Sequence, residues 1–389
     1  MLNERELSEH EAQHRLEQLC NCLGVNPKIE ILGDDGLVAS CALYDTAGNE
    51  LSSGAGKGRL CKLGALAESL EHYLSGTSTP ISICSETIVE TAKGLDDWLL
   101  LSLPPCSIPT FELEAADSHD HLYVPAALLA PEARIASQTG DTPAAFINKY
   151  SSNSGTALGC TENEALLHAI NEVIERHALS IYYLSLCNLT TSLKLFQPAP
   201  GFIKQTFNND PELEGHAKDL KLYMCDTFYD TYFCIAIPSS SLPNELSVIG
   251  SGCSTDPSTA LYRAVTEQIQ CERLRSSKEL LEDEEASATL SKSTKLAALL
   301  HPLPNATYPS RHPKVNLYSV RQQIKRTLLN LKENGRQVFY HVIFDVPGLA
   351  SVVQVYIPGL ERFHLIRSGI PVAPQSALSN GAREPHVHL

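Results

Sequence analysis

Residues 151–180 read SSNSGTALGCTENEALLHAINEVIERHALS. The first five residues, Ser151-Ser152-Asn153-Ser154-Gly155, are small and turn-forming. From Glu162 to about Tyr183 the apolar positions recur at helical spacing and predict a strong helix. Glu164, His168, Glu172 and Glu175 fall on one stripe of it, whereas Leu166, Ile170, Val173 and Ile174 face elsewhere and can pack into a core. On a lone helix such a carboxylate stripe is ordinarily a solvated face.

Two other segments repeat the design. Ser52-Ser53-Gly54-Ala55-Gly56-Lys57-Gly58 precedes a predicted helix over about 60–74 that carries Glu68 and Glu71. Gly250-Ser251-Gly252-Cys253-Ser254 precedes a predicted helix from Pro257 to about Arg275 that carries Arg263, Glu267 and Gln270. Each segment reads as a Gly/Ser-rich turn followed by a helix with polar residues at spacings of three or four. Magnesium prefers carboxylate oxygens and completes its shell with substrate phosphates, and arginine grips phosphate oxygens. Three converging helices of this kind suit ATP held through several metal ions. A Walker A loop is absent: Leu51 stands where its first glycine belongs and Gly58 where Ser or Thr is required. HExxH, GxSxG and GxGxxG are absent as well. Lys57 reads equally as a phosphate ligand and as an exposed turn residue.

Outward from these segments, residues 5–23 pattern as an amphipathic helix, and 28–32 and 37–44 as strands bounded by the turns 33–36 and 46–49. Late strands are expected over 338–345 and 351–357. Helices and strands alternate, so the expected class is α/β, an α+β mixture. The acidic, then proline-containing stretch 276–313 reads as a solvated helix and loop, with a mobile lid as the alternative. The small, polar residues after Pro374 read as a frayed tail.

The 389 residues are 43% hydrophobic and 19% charged, the composition of a globular protein with a large core. A formal net charge of −15 disfavours a nucleic-acid partner. The polar N-terminus lacks a signal-peptide core, and the densest apolar run, Trp98–Leu101, is far too short to span a bilayer. No membrane association and a cytoplasmic location are expected. The twelve cysteines contain no CxxC and read mostly as reduced, buried thiols.

The run 151–180 closely resembles the central signature of the YcaO family, enzymes that activate peptide backbone amides with ATP. GAGKG with ESLEHY over 68–73, ALYRAVTEQIQ over 260–270 and Pro358-Gly359-Leu360-Glu361 resemble the family's other motifs, in the same order. The resemblance implies one YcaO-type domain over 1–389: an N-terminal helix and strands to 50, a catalytic core over 51–380 and a short tail over 381–389. It implies ATP and Mg2+ as cofactors, with Glu68, Glu71, Glu164, Glu172, Glu175 and Glu267 as metal ligands. Arg176 and Arg263 correspond to phosphate contacts, Lys57 and Asn153 to the ATP pocket, and Glu175, Arg176 and Arg263 to the catalytic set. Three departures stand out: His72 replaces an arginine, Lys57 lies closer to Glu68 than the family's lysine does, and Glu272 stands where an arginine is usual, with Arg273 following.

The implied reaction is ATP-dependent phosphorylation of an amide oxygen in a ribosomally made precursor peptide. The expected activity is that of an azoline-forming cyclodehydratase component. Thioamide or amidine formation with a TfuA-like partner is the alternative, and a non-catalytic partner-binding scaffold is the alternative from another class. The proline-rich PxPxP ending of azoline-forming members is missing, and a fused peptide-clasping domain is not expected, so a separate leader-binding partner is. A homodimer is compatible with the reading.

Overall fold

A computed structural model describes residues 4–131, 143–208, 210–241 and 245–381. Of the tail expected to fray after Pro374, residues Gln375–Gly381 form a short helix, and 382–389 lie outside the described residues.

The chain opens with α1 (Glu9–Leu23), which begins later than the periodicity suggested. Ser8 and Glu11 form a reciprocal capping box that sets the start, and Leu7 stays outside the helix. Strands β1 (Asn26–Leu32), β2 (Val38–Tyr44) and β3 (Glu50–Lys57) pair antiparallel in that order, and α2 (Cys61–Ser75) follows. A six-stranded sheet is then built from β4 (Ile81–Cys84), β5 (Ser107–Ala115), β6 (His121–Pro125) and β7 (Thr156–Gly159), joined later by two strands from the C-terminal third. Thr161 caps α3 (Glu162–Leu186) by accepting the Glu164 N–H. A second three-stranded antiparallel sheet comes from β8 (Leu220–Phe228), β9 (Thr231–Pro238) and β10 (Gly250–Ser254). Asp256 caps α4 (Pro257–Leu274), with Pro257 in the first turn. Exposed α5 (Ser277–Leu290) and amphipathic α6 (Val320–Glu333) lead to β11 (Phe339–Val346) and β12 (Ala350–Tyr356). The large sheet runs β4-β5-β11-β12-β7 with β6 on β5, and every pairing in it is antiparallel. The class is mixed helix and sheet, as expected.

Two of the three Gly/Ser segments read as turns are strands, whereas 151–155 is loop and turn as read. Residues 50–57 form β3 and residues 250–254 form β10. Their glycines serve close packing of a helix on its own strand. A Cβ on Gly56 would sit 1.8 Å from the Cys61 carbonyl oxygen, and one on Gly252 would sit 2.4 Å from that of Ala260. Only a missing side chain lets α2 and α4 lie this near.

The three strand–helix units interlock in a cycle. The helix α2 packs against β7, α3 against β10, and α4 against β3. The buried faces form one large apolar cluster around α3 and the six-stranded sheet, with two smaller clusters beneath α2 and α4. All twelve cysteines are free, and most are buried. Among the described residues no helix is long and apolar enough to cross a membrane.

Candidate functional site

The polar faces of α2, α3 and α4 meet where the three units interlock, and each helix sends a carboxylate to the strand of its neighbour. Glu71 of α2 accepts the Leu158 N–H of β7 at 2.8 Å. Glu175 of α3 accepts the Ser251 hydroxyl of β10 at 2.6 Å. Glu267 of α4 forms an ion pair with Lys57 of β3. A second pair of carboxylates turns back to its own unit: Glu68 accepts the Ala55 N–H at 3.1 Å, and Glu172 that of Gly155 at 3.2 Å. Arg176 stands between the glutamates of α3, 3.7 Å from Glu172 and 3.5 Å from Glu175. The exposed Asn153 lies at the rim of a neighbouring cavity of about 640 Å³, whose lining also includes Glu71, His72, Phe111, Ile343 and Gln354. That volume falls within the roughly 300–1,000 Å³ of typical small-molecule sites.

Burial raises the Glu71 carboxyl well above its usual range, and the charges of Glu172 and Glu68 add to the shift. Burial likewise raises Glu172, against the pull of Arg176. Desolvation lowers Lys57, opposed by the negative charge of Glu175. Acidic groups pressed together in this way gain stability from an added cation.

Two candidates, Glu164 and Arg263, are engaged by the N-terminal segment. Glu164 is buried, and its carboxylate accepts the N–H groups of Glu6 at 2.5 Å, Leu7 at 3.3 Å and Cys160 at 3.2 Å. In the first turn of α3 it fastens the N-terminal segment. Arg263 donates to the Cys253 carbonyl at 3.0 Å and to His168 Nδ1 at 3.1 Å, and pairs with Glu4 at 2.5 Å. An arginine can only donate, so His168 Nδ1 is the acceptor; desolvation and the Arg263 charge lower its pKa well below the ordinary value, although the side chain is exposed. His72, in place of the arginine, donates from Nδ1 to the Ser53 carbonyl at 2.7 Å and ties α2 to β3. Glu272 accepts from Gln268 at 3.2 Å. Arg273 does not replace the missing arginine, because its guanidinium is committed to both oxygens of Asp35 and to the Leu32 carbonyl. Glu4 and Asn171 carry no local signal of a role, because their partners come from distant segments, and the sequence marks Ser251 and Ser254 only as members of a Gly/Ser segment.

The donors suit Mg2+. Among the described residues no three His, Cys, Asp or Glu side chains form a ready-made metal cage. Magnesium typically takes one or two carboxylates and keeps water and substrate phosphates as its other ligands, so an ion that arrives with a nucleotide needs no closed cage.

The fold is a mixed one in which a cycle of strand–helix units gathers glutamates, Lys57 and Arg176 at one centre. Residues 55–361 match the family model described as YcaO cyclodehydratase, ATP- and Mg2+-binding, and the chain belongs to that family. No curated protein sequence matches it. Among solved structures, a heterocyclase in complex with substrate and cofactor superposes with a TM-score of 0.61 at 18% identity, over 92% of this chain and 54% of the heterocyclase. This chain thus spans about half the length of that protein. The YcaO protein of Methanopyrus kandleri bound with AMPPCP and Mg2+ gives a TM-score of 0.59 at 19% identity, covering 95% of this chain and 96% of the other. The Escherichia coli microcin synthetase McbBCD complex with pro-MccB17 bound gives 0.55 at 13% identity, over 87% and 88%. At these identities the likeness concerns the fold.

Proposed function

We propose that this chain binds ATP with Mg2+ where its three units meet and phosphorylates a backbone amide oxygen of a precursor peptide, as an azoline-forming cyclodehydratase component. The observation that carries the reading is the reciprocal reach of Glu71, Glu175 and Glu267 across unit boundaries, with Lys57 and Arg176 among them. Membership of an ATP- and Mg2+-binding family supports it. Magnesium, when bound, neutralises charge on the transferring phosphoryl group.

The chain's own residues would do the rest. Glu68, Glu71, Glu172, Glu175 and Glu267 offer the metal oxygens, and Arg176 and Arg263 offer forked donors to phosphate. Asn153 lies at the rim of the cavity that would take the remainder of the nucleotide. A neighbouring Cys, Ser or Thr side chain of the peptide adds to the amide carbon as the amide oxygen takes the γ-phosphoryl group. That addition closes the ring, and departure of phosphate with loss of the amide N–H proton then forms the C=N bond of the azoline. Leader-peptide binding falls to a separate partner protein.

The test is to incubate the protein with ATP, Mg2+ and a Cys/Ser/Thr-rich peptide encoded beside its gene, with and without the neighbouring gene products. Phosphate release coupled to loss of one water per ring is the expected result. Exchange of amide oxygen for sulfur would reassign the enzyme to thioamide formation, and peptide binding with no ATP consumed would make it a scaffold.

A further inference from the structure

The first described residues reach Arg263, one of the candidate phosphate contacts. Glu4 is only 6% exposed, which is rare for a carboxylate. Its Oε2 stands 2.5 Å from the Arg263 guanidinium. Its Oε1 accepts a hydrogen bond from Asn171 Nδ2 at 3.0 Å and another from the Ser254 hydroxyl. The residues that follow are strapped to the start of α3. The Glu6 and Leu7 N–H groups reach the Glu164 carboxylate, and Thr161 donates its hydroxyl to Glu6 at 2.6 Å. Arg5 pairs with Glu164 at 3.8 Å, its side chain still 51% exposed.

A carboxylate and a phosphate present the same kind of oxygen acceptor to an arginine fork. We propose that Glu4 is an internal stand-in for a nucleotide phosphate, and that residues 4–7 are an autoinhibitory strap that MgATP must displace from Arg263. This rests on the reading of Arg263 as a phosphate contact. The two anions compete for one guanidinium, whose other contacts, to Cys253 and His168, are already made. The strap also gives Glu164 a role in nucleotide response distinct from metal binding: it anchors the segment that Glu4 plugs.

A protein whose binding-competent form is a minor fraction shows an affinity reduced by that fraction, so a strap engaged nine-tenths of the time weakens ATP binding about tenfold. Titration calorimetry of MgATP into the full chain, into Glu4→Gln and into Glu4→Ala tests this. Gln keeps the shape and the acceptor oxygen but not the charge, so at least one variant is expected to fold. The expected result is about tenfold tighter binding in the folded variants, with faster tryptic cleavage after Arg5 when MgATP is added to the wild type. Unchanged or weaker binding in the variants, with a wild type that does bind, overturns the strap and leaves the ATP site standing. If the wild type and both variants all fail to bind MgATP, the reading of the site falls and the strap falls with it.

Discussion

Glu175 and Ser251 are 76 positions apart in the chain, yet the hydroxyl of one sits 2.6 Å from the carboxylate of the other. The bond joins α3 to a strand of another unit and aims the Glu175 carboxylate. The aiming hydrogen bond behind a metal-binding or phosphate-facing group commonly matters ten- to a hundredfold. Ser251→Ala is therefore expected to lower ATP turnover by about 10–100-fold with a near-normal melting temperature. Steady-state kinetics beside thermal unfolding measures both, and wild-type turnover in the variant would make the contact incidental.

Removing Glu175 or Arg176 outright should cost more. Both lie on the polar side of α3, away from the buried Ile170 and Ile174. Glu175→Ala and Arg176→Ala are expected to fold, by circular dichroism, and to lose on the order of a thousandfold in peptide-dependent ATP consumption. A folded variant with near-normal rate would reduce this face to a solvated one.

Nucleotide binding should depend on the metal. The glutamates at the centre repel a bare triphosphate, and an added divalent cation reverses the sign of the local field. Calorimetry is expected to show ATP binding with Mg2+ and little or none in excess EDTA. Equal binding in the two conditions would rule out this site for the nucleotide.

The glycine strands make a stability prediction. Gly252→Ala puts a Cβ 2.4 Å from the Ala260 carbonyl oxygen and 2.8 Å from the Ala264 nitrogen, both backbone atoms that cannot rotate away. A loss of about 2 kcal/mol or more is expected. Gly215→Ala serves as the control, because nothing lies within 4 Å of its Cβ position and it sits inside a short helix. It should stabilise by about 0.5–1 kcal/mol. Denaturant melts of the two variants compare them directly, and equal stability would show that α4 can lift from β10 without cost.

Asp35 and Arg273 make a pH prediction. The guanidinium binds both carboxylate oxygens and lowers the Asp35 pKa from 3.8 to about 2. A depressed carboxylate pKa stabilises the fold above the unfolded value, and that contribution disappears as pH falls through the folded value. Asp35→Asn is thus expected to cost about 1–2 kcal/mol at neutral pH, with the difference from wild type vanishing between about pH 4 and pH 2. A constant difference across that range would locate the cost elsewhere.

The helices were legible because their apolar periodicity runs over many turns, as in Glu162–Leu186. The spacing of carboxylates on them told which side chains share a face. The glycines misled: read as turn formers, they alternate at 54 and 56 and again at 250 and 252, a period of two that belongs to a strand with one face pressed on a helix. Glu164 kept the stripe's spacing, yet its place in the first turn of α3 turns it to the N-terminal segment. Arg273 was legible as a cation near an empty motif position, but its partner Asp35 lies 238 residues away. The contacts that join one unit to the next, such as Glu71–Leu158, Glu175–Ser251 and Lys57–Glu267, are of this long-range kind, and no short window of sequence contains both ends of one.

The closure of α4 onto β3 also sets when the site can exist. Lys57 emerges early in synthesis, whereas its partner Glu267 follows 210 residues later. At translation rates of roughly 5–20 residues per second, the ribosome-bound chain spends upwards of ten seconds with the first unit made and its carboxylates unmatched. Such high contact order slows assembly. It also means that a nascent or truncated chain ending before α4 lacks one of the three walls of the centre, so competence arrives late and in one step.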